Sequence, residues 1–262
     1  MKAAAIPSPG IKEYYGNYWQ EGGFCPRGRM HSDLDRILAK TLGGRCGKLL
    51  DMGCGDAGTL GPWARRSGWD YLGVDISPGA VALAQKAGFE AKEIAPDFST
   101  GLPPEEVDAV ACLEVLEHLL NPELCVRECL RVMRPGGMLF ATVPNAVFWR
   151  HRLDMMFLGR VNPNGDNLSL TEPWRDPHLR FFTGKTLARL MIKIGLKVIW
   201  QGGYGGGIVS SAPLIHRWSD PWKSSWAYRG MAAVWPTLFA AHLVGIFQKP
   251  YPSKTGRGKE AD

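Results

Sequence analysis

A glycine-rich turn between a short apolar strand and a helix constrains this chain more than any other stretch. The segment KLLDMGCGDAGTL begins with a predicted strand, Lys48–Met52, and continues through three closely spaced glycines into a helix that we expect to begin near Thr59. Glycine permits positive φ and a close approach of the backbone to a ligand, and the helix that follows presents unpaired N–H groups. The segment therefore predicts a nucleotide-binding turn in an α/β fold.

Two carboxylates bear on which nucleotide this turn accepts. The spacing of Gly53, Gly55 and Gly58 is also that of a dinucleotide fingerprint. Asp51 and Asp56 flank the turn, however, and would repel a pyrophosphate placed on it. S-Adenosylmethionine carries no phosphate, and its ammonium and sulfonium groups suit neighbouring carboxylates. We therefore expect this cofactor rather than a dinucleotide, and a turn that binds nothing is the remaining alternative.

Strands and helices alternate through the rest of the chain, separated by short turns. The later predicted strands are Asp70–Asp75, Phe89–Ile94, Val107–Leu113, Met138–Val143, Leu196–Gln201 and Leu243–Lys249. The predicted helices are Ser32–Leu42, one that ends at Arg66, Pro78–Ala87, Pro122–Met133 and Gly184–Ile194. This order predicts an α/β fold with a doubly wound, Rossmann-like open sheet.

The carboxyl ends of the predicted strands carry the candidate ligand-binding residues, because ligands of open α/β sheets bind at that edge. Asp75 ends the second strand, where an acid can accept hydrogen bonds from both ribose hydroxyls. Asp97 would hold the adenine amino group, with Phe98 packed on the ring, or it is only a turn residue. Ile76 and Glu114 complete the predicted cofactor-binding set.

Segments outside the sheet are expected to cover the site. Residues 1–30 are dense in tyrosine and tryptophan and would form an N-terminal lid, or pack on the edge of the domain. The main domain is predicted at 31–250, with insertions at 146–180 and 202–235 that would form a substrate cap. Residues 251–262 are expected to be a disordered tail.

Two stretches after the fifth strand are rich in apolar residues. Residues 146–158 are predicted to form an amphipathic helix that contains Trp, Arg and Met. Met231–Phe247 is apolar, but Pro236 and His242 interrupt it and it falls short of a membrane span. We expect a buried helix or loop followed by the last core strand, with membrane contact as the less favoured alternative.

Composition favours one cytoplasmic domain over a nucleic-acid-binding or disulfide-bonded protein. The chain has 262 residues, of which 45% are hydrophobic and 21% charged, enough for one packed α/β domain. Its net charge of +6 is not concentrated in one basic stripe, so we expect no DNA partner and rank RNA last. Six cysteines without a CxxC pair, three of them in apolar runs, indicate reduced core thiols. The sequence does not indicate an oligomeric state.

Four motifs, taken as a set, resemble a known family. LLDMGCGDAG, GVDIS, DAVACLEVLEHLLNP and RVMRPGGMLFATVPN resemble the class I S-adenosylmethionine-dependent methyltransferases in order and spacing. The resemblance implies a seven-stranded sheet with its last strand antiparallel. It also implies that Asp51, Gly53, Gly55, Asp75 and Asp97 line the methyl-donor pocket. These motifs do not identify the methyl acceptor.

Three narrower resemblances point to different functions. PNAVFWRHRLDMMFLGR and EPWRDPHLRFFT are similar to the methionine-biosynthesis MetW group, which allows a non-catalytic, regulatory partner of a biosynthetic enzyme. EVLEHL departs from that group and is similar to the ubiquinone-biosynthesis O-methyltransferases. The same segment resembles the small-RNA 2′-O-methyltransferases, in which ExxEH and a later histidine bind a divalent metal.

The spacing within ExxEH gives the last comparison a physical basis. On a helical turn Glu114, Glu117 and His118 would share a face and could ligate one ion, with His178 as a distant fourth ligand. Such an ion could orient and activate two vicinal hydroxyls. The alternative is a helix start beside the donor, in which Glu117 and His118 are only hydrogen-bonded.

His118 and His178 are also the predicted general bases, because histidine titrates near neutral pH. Methyl transfer from a sulfonium is an in-line displacement, which requires an aligned acceptor and exclusion of water. We expect O-methylation of a small molecule, a sugar or a lipid-linked intermediate, although an N or C acceptor is equally compatible. A regulatory partner and a metal-dependent RNA 2′-O-methyltransferase are the alternatives.

Overall fold

A computed structural model describes residues 30–161, 176–205 and 226–252. The predicted lid lies outside the described residues except for Met30, and the predicted tail does so from residue 253 onwards. Of the two predicted insertions, residues 162–175 and 206–225 lie outside the described residues. The strands are β1 (Lys48–Met52), β2 (Asp70–Asp75), β3 (Ala91–Glu93), β4 (Val107–Leu113), β5 (Met133–Pro144), β6 (Lys197–Tyr204) and β7 (His242–Gln248). The helices are α1 (Ser32–Leu42), α2 (Gly61–Arg66), α3 (Pro78–Lys86), α4 (Pro122–Val132), α5 (Trp149–Leu158), α6 (Gly184–Ile194), α7 (Trp226–Val234) and α8 (Pro236–Phe239), with a short 3₁₀ helix at Leu116–His118.

The strands form one seven-stranded sheet in the order β3-β2-β1-β4-β5-β7-β6. The pairs from β3 to β5 are parallel, whereas β7 runs antiparallel to both β5 and β6. This topology confirms the predicted Rossmann-like sheet with its last strand antiparallel. Because β7 is reversed, its first residue, His242, pairs with Pro144 of β5 and Tyr204 of β6 at their carboxyl ends.

Helices cover both faces of the sheet, which explains the nearly continuous apolar run of β4. One core cluster packs α4 and α6 on the sheet through residues such as Cys129 and Leu187. The other packs α1, α2 and α3 on the opposite face through residues such as Leu38 and Trp63. Each fully buried leucine of these clusters contributes about 1.5–3 kcal/mol to stability, so the sheet is a rigid frame for its carboxyl edge.

Several predicted boundaries are wrong by a few residues. The helix after the glycine turn begins at Gly61, not near Thr59, and Pro62 occupies its first turn, where proline is well tolerated. β3 is limited to Ala91–Glu93 at the sheet edge. β5 begins at Met133, which the sequence assigned to the preceding helix.

The errors at the last two strands matter for the site. β6 runs on to Tyr204, past the predicted end at Gln201, because its glycines continue to pair with β7. β7 begins at His242 rather than Leu243. Both changes bring aromatic side chains to the carboxyl edge of the sheet.

The helix predicted over 146–158 is shorter and is not amphipathic. α5 has no buried residue, and its last four residues, Met155 to Leu158, are all exposed. The described residues contain no helix with the length and hydrophobicity that crossing a bilayer would require. The cysteine prediction is correct for four thiols, including Cys112, which are buried, whereas Cys46 is exposed.

Candidate functional site

The glycine turn after β1 has the conformation that the sequence predicts. Gly53 and Gly55 have φ values of 76° and 55°, which glycine adopts without strain. The N–H groups of Gly53 and Cys54 both donate to the carbonyl of Val74, at 2.8 and 3.0 Å. A Cβ atom at position 53 would lie 2.5 Å from Cγ2 of Val115. The turn therefore requires glycine for its dihedral angles and for its close packing.

Asp75 ties this turn to the end of β2. Its carboxylate accepts hydrogen bonds from the N–H of Gly55 (3.0 Å) and the N–H of Ser77 (2.9 Å). Burial raises the pKa of Asp75, while these two bonds favour its charged form. Ile76, the next residue, is buried beside it. The structure therefore brings the predicted ribose-binding acid directly against the glycine turn.

Asp51 lies beneath the turn rather than at its surface. It is only 4% exposed, and Oδ2 accepts a hydrogen bond of 2.7 Å from the Tyr71 hydroxyl. Burial raises its pKa to about 7, although the Tyr71 bond acts in the opposite direction. Asp56, the other flanking acid, accepts a bond from the N–H of Gly58. Asp56 thus helps to fold the turn, whereas Asp51 links β1 to β2.

Asp97 and Phe98 occupy the loop after β3. Asp97 is exposed, and its Oδ1 accepts a hydrogen bond of 2.9 Å from the N–H of Ser99, as in an ordinary turn. Phe98 is buried with a φ of 66°, a strained conformation for a bulky residue. Asp97 therefore has the role of a turn residue, which was one of its two predicted alternatives. A contact between Asp97 and adenine stays a prediction.

Glu114 does not share a helical face with Glu117 and His118, so that prediction is wrong. Glu114 precedes the 3₁₀ helix and has a φ of 54°, because its N–H turns back to the Thr142 carbonyl and hydroxyl. Its Oε2 lies 3.1 Å from Nδ1 of His242 instead. Burial acts to raise the pKa of Glu114, but His242, together with Thr142 and His118, outweighs it and lowers the pKa.

A cluster of one carboxylate and two imidazoles includes the last two residues of the 3₁₀ helix. Glu117, His118 and His178 have ligand atoms within 4.8 Å of one another. Glu117 is 1% exposed, and neither of its carboxylate oxygens has a hydrogen-bond partner among the described residues. The backbone carbonyl of Glu117 accepts bonds from Leu179 and Arg180, which brings the distant His178 to this place.

This cluster has the donor set of a small divalent-metal site. One carboxylate and two imidazoles suit a first-row transition metal, and the carboxylate would also suit Mg²⁺. Burial, together with the nearby negative charge of Glu114, raises the pKa of Glu117 well above its usual range. The orphan carboxyl is therefore either protonated or neutralised by a cation, and Glu114 is not part of the set.

The two predicted bases differ in their environments. Nδ1 of His118 faces the carbonyl of Pro177 at 3.3 Å, and burial lowers its pKa to about 4. Nδ1 of His178 lies 2.7 Å from Oδ1 of Asp176, a carboxylate that can orient the ring. The two rings are 4.5 Å apart. His118 is therefore neutral and weakly basic. Of the two residues, His178 has the better structural support as a general base.

Three residues at this edge were not predicted from the sequence to belong to the site. His242 was noted only as an interruption of an apolar run, and Tyr204 lies beyond the predicted end of β6. Asn145, just after β5, is fully buried, and its side-chain amide faces the carbonyls of Pro236, Thr237 and Ala240. A polar residue after an apolar strand was the available signal for Asn145, whereas His242 and Tyr204 required the strand register.

Comparisons with known proteins agree with this architecture. The family model described as "Methyltransferase domain" matches residues 26–201. A ubiquinone biosynthesis O-methyltransferase from Azoarcus sp. (strain BH72) is 32% identical over 72% of this chain and 82% of its own length. The corresponding protein of Cupriavidus pinatubonensis is 28% identical over 60% of this chain, and the match spans only 62% of that relative.

Solved structures add the fold alone, because their sequences are distant. An S-adenosylmethionine-dependent methyltransferase from Mesorhizobium loti has a TM-score of 0.53 and 16% identity, with 83% of this chain and 96% of that chain covered.

Proposed function

Because the chain belongs to the methyltransferase domain family, as a class I S-adenosylmethionine-dependent methyltransferase, we propose that it methylates a hydroxyl oxygen of a small biosynthetic intermediate. The observation that carries the proposal is the glycine turn bound to Asp75, with a polar edge beside it that can receive an acceptor. The names of its relatives support oxygen as the methylated atom. The acceptor is a phenol, a sugar or a lipid-linked hydroxyl compound.

The proposed donor site lies along the carboxyl ends of β1, β2 and β4. Gly53 and Gly55 would let the methionine part of S-adenosylmethionine approach the backbone, and Asp75 would accept hydrogen bonds from the ribose hydroxyls. Asp51 lies beneath the turn and would contribute to donor binding through the shape of the turn and the charge of its carboxylate. Asp97, Phe98 and Ile76 would surround the adenine, and Glu114 would stand at the methyl end.

The residues of the acceptor edge have three tasks in this proposal. They hold the acceptor oxygen in line with the methyl group, they exclude water, and they receive the hydroxyl proton. Bound S-adenosylmethionine would supply an electrophilic methyl group on its sulfonium. Of the two bases predicted from the sequence, His178, oriented by Asp176, is the better proton acceptor, because the low pKa of His118 makes that residue a poor one.

The Glu117–His118–His178 cluster favours a second candidate, a metal-dependent methyltransferase for vicinal hydroxyls, of which an RNA 3′ end is one source. A cation at these ligands would lower the pKa of a bound hydroxyl, so that no protein base is required. Removal of divalent ions with EDTA distinguishes the two candidates. Activity on a small phenol that survives EDTA supports the first, and activity only on RNA with Mg²⁺ or Mn²⁺ supports the second.

Calorimetric titration with S-adenosylmethionine, followed by a radiolabelled transfer assay with catechol, tests the proposal. We expect micromolar binding that Asp75→Ala weakens at least 100-fold, because hydrogen bonds to a charged group contribute about 1.5–3 kcal/mol each. Asp70→Ala, an exposed position at the other end of β2, is the matched control and should bind normally. A protein that does not bind the donor would contradict the proposal and favour the regulatory, non-catalytic alternative.

A further inference from the structure

We propose that His242, oriented by Glu114, is the general base that takes the proton from the acceptor hydroxyl. The inference rests on the proposed O-methylation and names the residue that completes it. His242 belongs to the last strand of the sheet, far in sequence from every motif that indicates the donor site. The strand register alone brings it to the acceptor edge.

The two side chains meet because of two separate backbone features. Glu114 ends its strand in a left-handed conformation, which its bonds to Thr142 fix. His242 starts the reversed strand β7 and pairs with both Pro144 and Tyr204. Oε2 of Glu114 then lies 3.1 Å from Nδ1 of His242, across 128 residues of chain. A non-glycine residue at positive φ is strain that functional sites commonly retain.

The imidazole of His242 is held in one plane and one orientation. Its ring stacks on Tyr204 with centroids 5.0 Å apart and an angle of 14° between the planes. Tyr204 packs in turn on the ring of His31, at 5.3 Å. With Nδ1 directed at Glu114, the remaining nitrogen, Nε2, has no hydrogen bond within the described part of the chain. The side chain is 37% exposed, so an acceptor can reach it.

Proton transfer to this ring balances without any further reactant. The acceptor oxygen forms a bond to the methyl carbon as the carbon–sulfur bond of the sulfonium breaks, and the electron pair of that bond stays on sulfur. The hydroxyl proton passes to Nε2 of His242. The resulting imidazolium keeps its Nδ1–H donated to the Glu114 carboxylate, which stabilises the new positive charge. Solvent then removes the proton.

Four titratable groups surround this imidazole. Glu114 approaches from the end of β4, Tyr204 from β6, His31 from the start of α1, and His151 from α5. Burial lowers the pKa of His242, but the Glu114 carboxylate outweighs it and raises the pKa above its ordinary value. His151 is held neutral by its own burial, which lowers its pKa. The carboxylate thus decides the basicity of the ring.

The test compares His242→Gln and Glu114→Gln with a control, Gln248→Ala, which changes a side chain at the opposite end of the same strand, β7. We measure kcat for transfer to catechol between pH 5.5 and 9, donor affinity by calorimetry, and the His242 titration by NMR of ¹⁵N-histidine protein. His242→Gln should lower kcat about 100-fold and keep donor affinity within about twofold. Glu114→Gln should move the acidic limb of the pH profile to lower pH, because the pKa of His242 falls. Gln248→Ala should keep kcat within about twofold.

A His242→Gln enzyme with wild-type kcat would overturn the inference, even if the protein is a methyltransferase. A Glu114→Gln protein in which the His242 titration is unchanged would overturn the pairing. If wild-type protein binds S-adenosylmethionine but methylates no phenol, sugar or lipid hydroxyl, the proposed function fails. The NMR titration then judges the Glu114–His242 pair independently, since it requires no acceptor.

Discussion

The proposed donor half of the carboxyl edge and its proposed acceptor half are assembled in different ways. In the donor half, Gly55 and Asp75 are 20 residues apart in sequence, and both oxygens of the carboxylate are bonded to backbone amides. In the acceptor half, Glu114 and His242 are 128 residues apart, and the buried Glu117 carboxylate has no hydrogen-bond partner within the described ranges. The Asp75 carboxylate of the first half has hydrogen-bond partners on both oxygens. The second half contains groups that can still bind a proton, a cation or an acceptor.

This difference indicates which part of such a fold determines the specificity for the acceptor. Every enzyme of the family must bind the same donor, so the donor half can be a short, self-satisfied motif. The acceptor must vary, and residues brought together by strand register can change without disturbing the motif. We expect substitutions in the donor half to abolish donor binding and those in the acceptor half to change catalysis or stability instead.

The largest effect is expected from Gly53→Ala in the donor half. The new Cβ would lie 2.5 Å from Val115, at a φ of 76°, so the turn must move. Donor affinity should fall at least 100-fold, and the free energy of unfolding should fall by about 1–3 kcal/mol. Gly68→Ala is the control, since φ is 74° there but no atom lies within 4 Å. Normal donor affinity in Gly53→Ala would contradict the expectation that substitutions in the donor half abolish donor binding.

His118 should give the acceptor half a marked sensitivity to acid. Its pKa is lowered from 6.5 to about 4, so the unfolded chain binds this proton more readily than the folded protein does. The stabilising contribution is complete above pH 6.5 and is lost as pH falls to 4, by about 3 kcal/mol in all. Urea unfolding of wild type and His118→Gln from pH 7.5 to 4 should show the difference between them shrink by that amount. A constant difference would contradict the assignment.

Removing the Glu117 carboxyl should change how the stability of the protein depends on metal. Without metal, Glu117→Gln should be more stable than wild type by about 1–3 kcal/mol, since it removes a buried group whose ionisation is costly. With Mn²⁺, wild type should gain in Tm and the variant should not. Thermal scans with EDTA and with Mn²⁺ measure both. If Mn²⁺ leaves the wild-type Tm unchanged, the cluster is not a metal site, and a protonated Glu117 explains its burial.

The smallest effect is expected from Asn145→Ala. The buried amide faces the carbonyls of Pro236, Thr237 and Ala240, which hold α8 just before His242. Its loss should cost about 1–2 kcal/mol of stability and lower kcat without changing donor affinity. Asn121→Ala is the control, because it removes only the N-cap bond of α4, at about 1 kcal/mol. An equal loss of kcat in both variants would remove any positioning role for Asn145.

Sequence reasoning was most accurate where the structure is local. The glycine turn and Asp75 could be predicted because glycine dihedrals and a single βαβ step determine them. The ExxEH segment could not, since the chain leaves β4 at Glu114 in a left-handed conformation and forms only one 3₁₀ turn. No residue preference indicates such a conformation for glutamate. His242 and Tyr204 meet only through the antiparallel pairing of β6 and β7, which no local pattern encodes.

A crystal structure with bound S-adenosylhomocysteine would test the central claim most directly. We expect the ribose hydroxyls to lie within hydrogen-bond distance of Asp75 and the sulfur to point toward the edge formed by Glu114 and His242. A ligand bound elsewhere, or one whose sulfur points away from that edge, would contradict the division into donor and acceptor halves.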